Sequence, residues 1–330
     1  MTHSGDAFRG RKALVTGGAG FIGSALAIRL VDLGAAVTVA DNFTPTSGAN
    51  AHNLAGIADR AQIRDADIRD AAVMRELVAG QDFLFNLAAQ TSHMDSMTAP
   101  DADLDINCRA QLSIVELCRC VNPDVKIVYA STRQMYGRPE YLPVDERHPL
   151  RPVDVNGINK MAGEWYHILY HQVYGLRTCA LRLTNTMGPR MRVKDARQMF
   201  VGYWVRCVLE GKPFEVWGGD QRRDISYVDD TVDAFLLAAA SDAANGRVFN
   251  VGGDRPVTLR ELAQLLVAAN GGGEYVVREF PRDRQRIEIG DYYADTRSIA
   301  AALGWSARVA LPDALDRTLH FYREHLQNYV

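Results

Sequence analysis

Thr16-Gly-Gly-Ala-Gly-Phe-Ile-Gly23 decides how this chain is read. Gly17, Gly20 and Gly23 recur at every third position, after the apolar run Ala13-Leu-Val-Thr16 and before Ser24-Ala-Leu-Ala-Ile-Arg-Leu-Val-Asp-Leu-Gly34, which has helical periodicity. Glycine there permits a tight turn from strand to helix and lets backbone N–H groups approach a pyrophosphate at the helix N-terminus. A glycine-rich loop alone is weak, because glycine turns are common. Here a second strand, Ala35-Ala-Val-Thr-Val-Ala-Asp41, ends in an acid at the distance a dinucleotide site requires. Asp41 is placed to accept hydrogen bonds from both adenosine ribose hydroxyls, and its charge opposes a 2′-phosphate, which favours NAD over NADP. Asp67-Ile68 follows a third strand, where a side chain meets the adenine.

Outward from the motif, apolar strand-like runs alternate with amphipathic helical stretches through the first 180 or so residues. Strands are expected over Lys12–Thr16, Ala36–Asp41, Gln62–Asp65, Phe83–Leu87, Lys126–Ala130 and Arg177–Leu183. This alternation predicts an α/β fold, a Rossmann-type doubly wound parallel sheet. Beyond about Arg190 the pattern turns irregular, with glycine turns at Gly218-Gly219, Gly252-Gly253 and Gly271 to Gly273. The expected division is a NAD-binding domain over residues 1–184 and a smaller, partly interleaved substrate lobe over 185–330, some segments of which return to the first domain.

The chain has 330 residues, a net charge of -3 and 47% hydrophobic residues, ordinary for a globular protein with a full core. It has no basic stripe of the kind nucleic acid would need. Its polar first residues and the absence of any run of 18 apolar residues predict a cytoplasmic protein without a membrane partner. Cys108, Cys118, Cys120, Cys179 and Cys207 show neither disulfide nor metal spacing and read as free thiols, with no metal site expected.

With these residues in place, the chain resembles the extended short-chain dehydrogenase/reductases, specifically the NAD-dependent nucleotide-sugar epimerase/dehydratase family of UDP-glucose 4-epimerase-like enzymes. The resemblance spans nearly the whole length. It rests on the glycine motif, Val39-Ala-Asp-Asn42, Asp65 to Asp70, Phe85-Asn-Leu-Ala-Ala-Gln90, Asn107, Tyr129-Ala-Ser-Thr-Arg-Gln-Met-Tyr-Gly137, Lys160-Met-Ala-Gly-Glu164, Leu181 to Arg190, Arg222 to Asp230, and Tyr292 to Thr296 before Leu303-Gly-Trp305. It implies cofactor contacts from Gly17, Gly20, Phe21, Ile22, Gly23, Asp41, Asn42, Asp67, Ile68, Leu87, Ala88, Ala89, Gln90 and Asn107, with Lys160 on the nicotinamide ribose. It places Thr132 on the reacting sugar hydroxyl, Asn185 and Arg223 on substrate phosphates, Trp217 near the nucleotide base unless it is core, and Ser131 and Gln134 beside the sugar. It also implies a homodimer paired through helices over Leu104–Val121 and Lys160–Tyr174, whose apolar faces are equally explained as core.

Two departures bear on the chemistry. The family has Tyr-x-x-x-Lys, but four residues before Lys160 stands Asn156, an amide that cannot titrate near neutrality. Thr132 working through Lys160 and water, or His93, Tyr136 or Asp154 reaching in, are the substitutes, with Asn156 hydrogen-bonding the sugar oxygen; His93 has the best intrinsic basicity. In the dehydratases Asp-Glu follows the threonine, whereas here Arg133 and Gln134 do. Arg133 suits a carboxylate, as in a uronic acid, or a phosphate, and an internal salt bridge would explain it as well. Arg190, Arg192, Lys194 and Arg197 either line a diphosphate cleft or form a solvated face, and one of Arg282, Arg284 and Arg286 lies where the family offers an arginine to the nucleotide. The expected activity is C4 epimerisation of an NDP-hexose or NDP-uronic acid through a transient 4-ketone. The alternatives are an atypical decarboxylase, dehydrogenase or eliminating enzyme acting on an NDP-sugar, or a retired NAD- or NDP-sugar-binding protein.

Overall fold

The computed structural model describes residues 5–44, 46–281 and 287–330. Six strands of the central sheet come from the first 183 residues: β1 (Lys12–Thr16), β2 (Ala36–Asp41), β3 (Gln62–Asp65), β4 (Phe83–Asn86), β5 (Lys126–Thr132) and β6 (Arg177–Leu183). They agree with the sequence expectation except at two ends: Leu87 lies past β4, and β5 runs on to Thr132. A seventh strand, Val248–Val251, returns from the C-terminal half to pair with β6. All seven are parallel, in the order Val248–Val251, β6, β5, β4, β1, β2, β3. The sheet is Rossmann-type.

Side-chain alternation covers both of its faces. Val15, Val39, Phe85, Val128 and Leu181 point to one core, with helix α1 (Phe21–Asp32) and the C-terminal helices. Leu14, Ala40, Leu84 and Ile127 point to the other, with α2 (Ala71–Val78). Burial on both faces is why these strands read as continuous apolar runs. Past β4 come the short helices α3 (His93–Thr98) and α4 (Pro100–Leu104), a π-helical turn over Asp105–Arg109, and α5 (Ala110–Val121). The long α6 (Val155–Tyr174) is capped by Asp154, whose carboxylate accepts the Gly157 N–H at 2.7 Å.

The sheet reverses its winding between β1 and β4, and a crevice opens at the carboxyl ends of strands on either side of such a point. Thr16, at the end of β1, ties the two strands together. Its hydroxyl donates to Asn86 at 2.9 Å and accepts the N–H groups of Leu87 and Ala88. The C-terminal half adds a three-stranded sheet of Asn185–Met187, Arg222–Tyr227 and Pro256–Thr258 and a parallel pair, Phe214–Trp217 with Tyr275–Arg278.

Candidate active site

A cleft of about 700 Å³ follows that crevice from the glycine turn to the ends of β5 and β6. At its first end the backbone does most of the work. Gly17 adopts φ +67°, and a Cβ there would lie 2.8 Å from the Ala88 Cα. A Cβ on Gly23 would lie 2.2 Å from the Gly17 carbonyl oxygen. Gly20 caps α1 with extended backbone and no side-chain hydrogen bond, so the first turn presents bare N–H groups. This cradle fits a dinucleotide pyrophosphate. Asp41 closes it: its carboxylate accepts the Ala19 and Phe43 N–H groups, each at 3.0 Å. Burial pushes the Asp41 carboxyl above its ordinary value, and those two N–H groups oppose the rise. An ionised carboxylate has about four acceptor positions, so two remain for ribose hydroxyls. Asp67 is already engaged by Arg69 and Asn42, with Arg69 holding its carboxyl down to about 2, which leaves buried Ile68 as the apolar wall.

Lys160 and Thr132 line the other end. Lys160 donates to the Ala130 carbonyl at 2.6 Å and lies 4.3 Å from the centre of the Tyr129 ring. Burial pushes its ammonium down to about 7, against the opposing pull of Asp103 and Glu164. Thr132 Oγ1 accepts the Gln134 N–H at 3.2 Å. Ser131 is committed inward, donating to Glu164 at 2.6 Å, and Glu164 is gripped in turn by Arg182.

Asn156 has both of its amide hydrogens committed to the protein. Its Nδ2 gives one hydrogen to the Gln90 carbonyl at 2.9 Å and the other to Asp103 at 3.0 Å, leaving only Oδ1 uncommitted, and that atom accepts. Asp103 is fully buried and also takes the Asn159 amide at 2.8 Å. No sequence motif pointed to Asp103, which sits on the short helix α4.

Beside Asn156, His93 Nδ1 stands 3.0 Å from Asp154. Nδ1 makes no aligned hydrogen bond there, so this is a close polar approach short of a formed bond. Gln134 donates to the same Asp154 oxygen at 2.8 Å. Burial raises the Asp154 carboxyl, but His93, Gly157 and Gln134 together bring it below its ordinary value. Tyr136, the other aromatic substitute for the missing tyrosine, is ruled out by position. It is fully buried, donating to Asn250 and accepting from Arg182.

Arg133 donates through Nε and Nη2 to the Asn185 amide oxygen, at 3.2 and 2.8 Å, and lies 5.0 Å from the centre of the Tyr292 ring. Its Nη1 is buried without a partner among the described residues. Burial and the neighbouring Arg223 push the guanidinium down to about 10, an unusual cost that an anion would offset. Asn185 therefore reaches the cleft with its oxygen taken.

Three expected contacts lie outside the lining. Asn107 is fully buried and supports the site from behind, donating to the Gln90 carbonyl at 2.9 Å. Arg223 is buried against Glu288 at 2.6 Å, its fork occupied by that carboxylate and backbone carbonyls. The Trp217 indole donates to Glu215 and its ring meets Phe280 edge-on. Of the basic stretch only Arg192 faces the cleft, and it is bound to Asp195 and the Ser47 carbonyl. Arg197 pairs with Asp95, and Arg190 covers Phe321. Arg282, Arg284 and Arg286 lie outside the described residues. Thr44, Ser47 and Gln198 line the cleft from loops that carry no motif. Among the described residues no cluster of metal ligands occurs, and no helix is long and apolar enough to cross a membrane.

Comparison with known proteins agrees with this geometry. Residues 13–252 match the model of the NAD dependent epimerase/dehydratase family. The chain is 31% identical to the UDP-glucose 4-epimerase of Mycolicibacterium smegmatis, covering 96% of this chain and 100% of that one. It is 32% identical to a dTDP-glucose 4,6-dehydratase of Streptomyces niveus, over 95% of this chain and 93% of the relative. Among solved structures, the UDP-glucose 4-epimerase of Thermotoga maritima with UDP-glucose superposes with a TM-score of 0.87 at 30% identity, covering 96% of this chain and 99% of that one. The glycine cradle, the acid closing it and the cleft reaching Thr132 and Lys160 thus have one source: this chain belongs to the NAD dependent epimerase/dehydratase family, extended short-chain dehydrogenase/reductases that use NAD to modify nucleotide sugars.

Proposed function

We propose that this protein inverts C4 of a nucleotide-linked hexose or hexuronic acid through a transient 4-ketone. The observation that carries the reading is the pair following Thr132. Dehydration by the family's usual route needs two carboxyl groups there, and Arg133 and Gln134 occupy both places. Bound NAD supplies the acceptor for the C4 hydrogen and the donor that returns it to the opposite face. Thr132 holds the C4 hydroxyl, Lys160 holds the nicotinamide ribose, and the walls hold donor and carbon in contact, which is the main contribution of such a site. The unpartnered Nη1 of Arg133 favours a sugar bearing a carboxylate, since a buried donor left unmet costs about 1–3 kcal/mol.

The test is incubation with NAD and UDP-glucose, UDP-GlcNAc or UDP-glucuronic acid, with products read by NMR and NADH by absorbance. The expected result is a C4 epimer without NADH accumulation, strongest for UDP-glucuronic acid. NADH accumulation, loss of a carbon, or tight binding without product across the panel overturns the reading in favour of a dehydrogenase, a decarboxylase or a binding protein.

A homodimer is part of the proposal. Ile158, Trp165, Leu169 and Val173 form one exposed apolar stripe along α6, with Leu112 of α5 also exposed. Trp165→Glu is expected to shift a dimer to monomer in light scattering; a wild type that is already monomeric removes the dimer from the proposal.

A further inference from the structure

We infer that His93, oriented by Asp154, is the proton acceptor that replaces the family's tyrosine; this rests on the oxidoreductive reading above. The cleft needs a group that takes the C4 hydroxyl proton as the C4 hydrogen departs with its electron pair, and Asn156 cannot be that group. Elimination among the described titratable residues of the lining leaves few others. Asp41 and Asp67 stand at the ends of β2 and β3, with β1 and β4 between them and Thr132 on β5. Asp95 pairs with Arg197, and Lys160 is turned onto the Ala130 carbonyl and the Tyr129 ring.

His93 has the remaining requirements. It begins α3 and lines the cleft with Gln134 and Asn156. Its Nδ1 is buried toward Asp154 while its side chain keeps 37% exposure, which leaves Nε2 as the ring nitrogen that can serve a ligand in the cleft. Asp154 is fixed. Its side chain has no exposure, caps α6 through Gly157 and takes the Gln134 amide. The 3.0 Å approach is short of a hydrogen bond, but an ionised carboxylate only accepts, so a small turn of the ring onto Asp154 favours the proton on Nδ1 and leaves the lone pair on Nε2. Gln134 connects the dyad to the reacting position, since its own N–H donates to Thr132 Oγ1. The step balances. The C4 hydrogen and its electron pair go to NAD, the hydroxyl proton goes to His93 Nε2, and C4–O becomes C=O. The return step reverses each transfer, and His93 gives the proton back. Asp154 and Gln134 thereby serve as positioning residues, Asp154 for His93 and Gln134 for Asp154 and Thr132.

Two measurements decide it. With NAD saturating and the panel member that the wild type turns over, His93→Ala is expected to lower kcat by about 100-fold or more while leaving the NAD Kd unchanged, and added imidazole is expected to restore part of the loss. A kcat within threefold of wild type, or a loss that imidazole does not touch, overturns the inference. Independently of any turnover, ¹⁵N-resolved NMR of the wild-type NAD complex is expected to show the Nδ1–H tautomer of His93, and Asp154→Asn to abolish that preference. An Nε2–H tautomer in the wild type overturns it. A wild type that converts no sugar on the panel sinks the epimerase reading alone, and the tautomer still decides the assignment of His93.

Discussion

The two ends of the cleft are built by different means. At the adenosine end, recognition is carried by backbone: Gly17, Gly20 and Gly23 matter for the side chains they lack, and Asp41 holds the loop by accepting two N–H groups before it meets any ligand. At the other end the lining comes as side chains from separate elements, with Thr132 from β5, His93 from α3, Lys160 from α6 and Asn185 from beyond β6, and Asp154 capping α6 beside them. Backbone geometry tolerates almost no substitution, whereas a side-chain constellation can be rebuilt with different residues as long as the chemistry is served. The glycine motif stands whole at the first end, and at the second an amide, Asn156, stands four residues before Lys160.

The sharpest way to break this comparison is at the backbone end. Gly23→Ala introduces a methyl 2.2 Å from a carbonyl oxygen that has no side-chain freedom to move aside. We expect NAD affinity to fall about 100-fold, which is about 2.7 kcal/mol. Titration calorimetry with NAD reads this directly. An affinity within threefold of wild type would show that the turn relaxes, and the contrast between the two ends would lose its basis.

The same contrast explains what was legible in the sequence. The strands and the cradle follow from local spacing, in which apolar runs, glycines three apart and an acid at a strand end each have a short-range cause. Asp103 does not. It lies on a five-residue helix, and its meaning comes only from Asn156 and Asn159 arriving over 50 residues later. Arg223 and Asn107 matched their motif positions yet turned to protein partners, Glu288 and the Gln90 carbonyl, because motif position fixes the Cα and leaves the rotamer to whatever packs nearby. His93 and Asp154 were visible as residue types. Their approach to 3.0 Å was not, being a contact between residues 61 positions apart in sequence.

Asn156→Tyr sharpens the comparison from the other side. If the sugar end were the ancestral site with one residue lost, restoring the tyrosine would raise turnover. The surroundings predict otherwise. Asn156 is buried and donates to both Gln90 and Asp103, so tyrosine removes one of the two amides satisfying a buried carboxylate and must find room for a ring. We expect a loss of stability of about 1–3 kcal/mol and no gain in kcat, read by denaturant titration and by the sugar-nucleotide assay. A stable, faster variant would mean that the site has not been reorganised around His93 and Asp154.

Lys160 gives the mildest test, and it needs neither substrate nor cofactor. Its buried ammonium titrates at about 7, well below the ordinary lysine value, so above pH 7 the unfolded chain holds a proton that the folded chain releases. Stability then rises with pH wherever the unfolded state binds more protons. The penalty of burying this charge is fully present below pH 7 and is relieved as pH climbs toward the unfolded lysine value, by about 1 kcal/mol between pH 7 and 8. Lys160→Met is expected to remove that slope, so that the stability difference between variant and wild type narrows as pH rises. Denaturant titrations at pH 7 and 8 measure it. A parallel pH dependence in the two proteins would mean that Lys160 remains charged in the folded chain, held by Asp103 and Glu164, and that the cost of the sugar end lies in its amides and in Arg133.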